Sequence, residues 1–174
     1  MIGDGRGALV ARTSLVIVAA LLVQVTLVVD LRIAGVHGDI MLLVGIAAGV
    51  SGGPERGAVY GFLAGIAHDL LLPTPFGLSA LAYALVAYLA GSTRESVLRS
   101  AWWIPVATAA AASAAGAILY VVLGQVVGQD LVARPVMVVV AVTAAVGAVF
   151  SPLMIRAVRW ATGAGDSPRI RGAL

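Results

Sequence analysis

The chain of 174 residues has no cysteine and no lysine, only 2 histidines, and charged side chains at just 11% of positions. The missing cysteine excludes disulfides, thiolate metal sites and cysteine nucleophiles. His37 and His68 form no His-Glu-x-x-His motif, and no Gly-x-Ser-x-Gly elbow, P-loop or Gly-x-Gly-x-x-Gly fingerprint occurs. Ser79 and Ser113 lie in apolar runs, but nothing assigns His68 to either as a base, so intramembrane proteolysis is a poor fit. The net charge of +3 is carried by single arginines between apolar stretches. They make no basic face with interleaved aromatics, which argues against nucleic-acid binding. The all-arginine usage, beside abundant Ala, Val and Gly, looks like codon bias in a GC-rich genome and carries no functional weight.

What the chain has instead is apolar surface. With 61% hydrophobic residues and a mean hydropathy of +1.05, it needs a bilayer as solvent. The length suits about six transmembrane helices in one bundle, an all-α integral membrane protein with a single domain over residues 1–160. Residues 161–174, rich in Gly, Pro and Arg, are expected to be a disordered cytoplasmic tail. Expected spans are 12–30, 40–53, 57–72, 76–91, 101–124 and 135–158. A signal peptide competes for the first, but no small-x-small cleavage site follows Val29. Gln24 lies within that span, and a lone amide there serves helix packing. Spans two to four are short for a hydrocarbon core of about 30 Å, so they extend into their turns or sit where the bundle thins the bilayer. Trp102 and Trp103 are interfacial anchors for span five. Pro105 falls in its first turn, where a missing N–H costs little, and Pro152 is expected to kink span six.

The arginines orient the bundle. With six spans and both termini in the cytoplasm, the inner segments hold Arg6, Arg12, Arg56, Arg94, Arg99, Arg156, Arg159, Arg169 and Arg171. The outer loops keep only Arg32 and Arg134, while the acidic residues divide evenly. That is the positive-inside pattern, which counts basic residues and not net charge. Five spans would spoil it.

The stretch from Gly57 to Pro73 organises the middle of the chain. Gly57, Gly61 and Gly65 recur every fourth residue, a small-residue stripe that lets another backbone approach closely. Gly45, Gly49 and Gly53 repeat the spacing in the preceding span. Asp69 takes the next step of the stripe, and His68 lies on the same side. A carboxylate in hydrocarbon costs roughly 2.5–3.5 kcal/mol on insertion scales, so it faces protein or water. Three readings of the pair stay open: an internal hydrogen-bond network, a partner contact, or a proton or ligand pathway. Its place near the outer end, a turn before Pro73, suits structure better than a relay at the midplane. With enzyme chemistry and large loops both lacking, function is left to the bundle itself, as a binding cavity or as a platform for partners.

The order of features resembles the rod shape-determining MreD family of bacteria. The matching stretches are Asp39-Ile-Met-Leu-Leu43, then Gly61-Phe62-Leu-Ala-Gly65-Ile-Ala-His68-Asp69-Leu-Leu71, then Pro73-Thr-Pro75-Phe-Gly77-Leu78 and Ala80-Leu-Ala-Tyr83. Gly38 stands where that family often has proline. The resemblance implies a non-enzymatic component of the elongation machinery in the bacterial plasma (inner) membrane, without cofactor or metal. Implied partners are an MreC-like protein, a RodA-like glycosyltransferase with its class B penicillin-binding protein, and MreB. It also implies helix-packing or partner-binding roles for Gly57, Gly61, Gly65, His68, Asp69 and Gly77, turn roles for Pro73 and Pro75, and an outer-loop contact for Asp39. The family's fold is similar to the substrate-binding S-components of energy-coupling-factor transporters. A vitamin-binding transport subunit is therefore the alternative, although few polar or aromatic groups are available to furnish its cavity.

Overall fold

A computed structural model describes residues 4–28, 38–71, 76–98, 103–128 and 136–163. Every regular element among them is helical: α1 (Asp4–Val23), continued by a π-helical turn Gln24–Val28, then α2 (Ile40–Gly52), α3 (Pro54–Asp69), α4 (Leu78–Ser92), α5 (Arg94–Leu98), α6 (Ile104–Val126) and α7 (Val136–Thr162). Stretches in α1, α6 and α7 are long and apolar enough to cross a membrane, and α2 and α4 are shorter apolar helices. Residues 72–75 with Pro73 and Pro75, residues 29–37 and 129–135, Trp102 and residues 164–174 lie outside the described residues.

The centre of the bundle is α2. Residues Ile40 to Ser51 are all buried, and the helix touches α1, α3, α4, α6 and α7. Its 13 residues make a rod of only about 20 Å. A helix apolar all round has no face for water, and here protein covers every side of it, which is why it can be short. Gly53 is the single residue between α2 and α3. Its φ of +97° turns the chain back in a conformation that L side chains resist, and its N–H donates to the Gly49 carbonyl at 2.7 Å.

Several boundaries differ from the sequence expectation. The first helix begins at Asp4 instead of residue 12. The third begins at Pro54, three residues before Gly57, because proline at the first helical position loses no needed hydrogen bond and Glu55 favours the positive helix end. The fourth begins at Leu78, with Gly77 as its cap at φ +98°. The polar connection expected from Ser92 to Ser100 contains the short α5. The fifth expected span, now α6, runs to Val126. The last continues to Thr162, so residues 161 and 162 are helical and not tail; Gly163, at φ +65°, follows it.

Helix α7 runs unbroken through Pro152. Proline has no N–H for the carbonyl four residues back, which is that of Ala148. The Ser151 hydroxyl donates to that same oxygen at 3.0 Å, so the acceptor exposed by proline is filled from the neighbouring side chain.

Candidate functional site

The glycine stripe lies inside the chain. A Cβ on Gly61 would meet the Tyr83 carbonyl oxygen at 2.6 Å, and one on Gly65 would meet the Ala80 nitrogen at 2.6 Å. A Cβ on Gly57 would meet Gly49 Cα at 2.7 Å as well as the Ala87 carbonyl, and one on Gly45 would meet Gly61 Cα at 2.6 Å. Glycines of α2 and α3 therefore interlock with each other and with the backbone of α4. Contact between main chains gains dispersion energy that lipid cannot supply through a hydrophobic drive.

At one end of this tight core, buried and half-buried polar groups converge. Asp69, the last residue of α3, is 3% exposed. One carboxylate oxygen accepts from the Gly77 N–H at 2.8 Å and from the Ala80 N–H at 3.4 Å; the other accepts from the Ser79 N–H at 3.2 Å. These are free donors at the start of α4. The cap residue, Gly77, has no side chain to offer, and Asp69 caps the helix from the neighbouring one, with its negative charge at the positive end. Gly77 supplies the left-handed turn that aims these N–H groups.

Asp39 caps α2 in the usual local way, accepting from the Leu42 N–H at 2.9 Å. Its second oxygen accepts the Tyr83 hydroxyl proton in a short hydrogen bond. The same hydroxyl lies 3.0 Å from His68 Nδ1, and the two rings are 5.7 Å apart, centre to centre. One phenol on α4 thus connects the start of α2 to the end of α3. The backbone around Asp39 is held from the other side by Gln24, whose amide donates to Gly38 O at 3.0 Å and accepts from Ile40 N at 2.8 Å. Gln24 opens the π-helical turn that ends the first helix.

The structure brings together Asp39, His68, Asp69 and Gly77 from the sequence expectation, with Gly57, Gly61 and Gly65 forming the packed seam beneath them. Sequence reasoning missed Tyr83 as the link and saw in Gln24 only packing. The available signal was chemical: a phenol or amide inside an apolar run has to find a partner. Ser79, Ser113 and Ser51 each bury a hydroxyl that has no hydrogen-bond partner among the described residues. His68 Nδ1 is directed to Tyr83, so it forms no pair with Ser79 or Ser113. Among the described residues, no three His, Asp or Glu side chains gather as metal ligands. The arrangement ties the ends of three helices together and caps two of them.

At the opposite end, α1 and α7 flank an open cleft of about 560 Å³ lined by Arg12, Pro152, Ile155, Arg156, Arg159, Trp160 and Gly163. The Arg12 guanidinium lies 5.3 Å from the Trp160 ring centre.

The family model described as rod shape-determining protein MreD matches residues 6–159. No curated protein and no solved structure matches the chain.

Proposed function

The chain belongs to the rod shape-determining protein MreD family, and we propose that it acts there as a non-enzymatic scaffold that helps guide lateral peptidoglycan synthesis. Family membership and the long apolar helices make it a membrane component of the rod-shape system. The finer reading places it in the bacterial plasma (inner) membrane with both termini cytoplasmic, as the arginine distribution favours. Its proposed partners are an MreC-like protein, a RodA-like glycosyltransferase with its class B penicillin-binding protein, and MreB at the cytoplasmic side.

The observation that carries this reading is the internal use of the glycine seam. Gly57, Gly61 and Gly65 are buried against the chain's own α2 and α4. A partner therefore meets the outer faces of a stiff unit, where Val59, Phe62 and Leu63 of α3 and Leu81, Leu85 and Leu89 of α4 are exposed. In lipid, such a face selects a partner helix by shape, since apolarity alone distinguishes nothing there.

Co-purification with an MreC-like protein tests this with two variants. Phe62→Ala combined with Leu63→Ala should leave the thermal unfolding of the purified protein near its original temperature and lose partner capture. Gly61→Leu should lose both. Full capture by both variants would sink the scaffold reading of this face.

A further inference from the structure

The arginine-lined cleft between α1 and α7 is not used by the scaffold reading, and its chemistry points elsewhere. Arg12, Arg156 and Arg159 line it together with Trp160, and no carboxylate is among the described lining residues. A second, smaller cavity of about 130 Å³ is lined by Ser51, Arg94 and Arg159, among others. Arg159 and Ile155 line both, so the cavities adjoin. Ser51, 8% exposed, has a buried hydroxyl with no hydrogen-bond partner among the described residues, beside the smaller cavity.

We propose that these adjacent cavities bind the headgroup of an anionic phospholipid, the phosphate seated among Arg12, Arg156 and Arg159 and the polar headgroup lying on the side of Ser51. Guanidinium forks match phosphate oxygens in pairs. Two features favour a lipid over a free anion. The cleft descends along α7 to Ile155 and Pro152, the apolar flank that acyl chains would follow. Leu153 and Val149 continue the exposed apolar surface of the same helix. Trp160 is 54% exposed at the mouth, the position an indole takes at a membrane interface. The proposal is independent of the partner face on α3 and α4.

The test uses the full chain with Trp102→Phe and Trp103→Phe, which leaves Trp160 as the sole tryptophan of 3. It is reconstituted in phosphatidylcholine vesicles containing increasing fractions of brominated phosphatidylglycerol, and quenching of Trp160 is recorded. Quenching should saturate at a lower fraction with brominated phosphatidylglycerol than with brominated phosphatidylcholine. Arg156→Gln and Arg159→Gln should each weaken that preference about fivefold, the effect of losing one basic residue near an anionic surface. Arg159→Lys should retain most of it, and Arg56→Gln, outside both cavities, all of it. Circular dichroism confirms that each variant is folded. Equal quenching by the two lipids would overturn the proposal. So would an unchanged preference in the folded Arg156→Gln/Arg159→Gln protein. Abolition of the preference by inorganic phosphate would assign the site to a free anion and equally overturn it.

Discussion

The Asp69 carboxylate accepts the Gly77 N–H at 2.8 Å, so the last side chain of α3 caps the first turn of α4 across the connection between them. Two antiparallel helices are thereby fixed at the end where their turn could otherwise splay. The capping group is buried, and its partners are main-chain donors at a helix start whose cap residue, Gly77, has no side chain to satisfy them.

Asp69→Asn keeps one amide oxygen as acceptor and loses the charge, whereas Asp69→Leu leaves all three donors unmet. A buried donor without a partner costs about 1–3 kcal/mol. The Leu variant should therefore lose about 3 kcal/mol or more and the Asn variant about 1 kcal/mol. Thermal unfolding of the purified protein in detergent measures both. Equal losses would show that the charge matters and the hydrogen bonds do not.

Tyr83→Phe removes the hydroxyl shared by Asp39 and His68 while keeping the ring. It should destabilise by about 1–3 kcal/mol, because a carboxylate oxygen loses its donor. A double-mutant cycle with His68→Leu should give a coupling of about 0.5–3 kcal/mol. A coupling of zero would mean that the His68 contact contributes nothing.

The glycines of the seam and the glycine outside it should respond with opposite signs. Gly65→Ala inserts a methyl group against the Ala80 backbone and should cost about 1–3 kcal/mol by overpacking. Gly7, in α1, has nothing within 4 Å of a built Cβ, so Gly7→Ala should gain up to about 1 kcal/mol from helix propensity. Urea or thermal unfolding of the pair decides this; a stabilised Gly65→Ala would contradict the close approach of α3 and α4.

Ser151→Ala leaves the Ala148 carbonyl without its donor and should cost about 1 kcal/mol. Adding Pro152→Ala restores a backbone N–H for that oxygen and should recover the loss. If the second change gives no recovery, the hydroxyl is not substituting for the missing N–H.

Residue types alone made this a membrane bundle, because no soluble fold of this length could hide so much apolar surface. The four-residue glycine spacing was legible too, since it follows from the helical repeat, and so was the need for Asp69 to face protein or water. The helix ends were less so. The start at Pro54 and the extension to Thr162 depend on cap chemistry that local apolar runs do not record.

Which surface met the glycines, and what partner each polar group took, depended on how distant segments dock. Gly61 lies against the Tyr83 carbonyl, and Asp69 against the Gly77 amide, only because α3 turns back along α4. Asp39 meets Tyr83 across 44 positions of chain. Helical periodicity sets which residues share a face; the crossing of three helices decides what that face touches. The sequence thus determined that a small-faced helix and a buried acid had to be accommodated. The tertiary structure decided that both would be accommodated within the chain, where backbone contact and a cross-helix cap hold α2, α3 and α4 together.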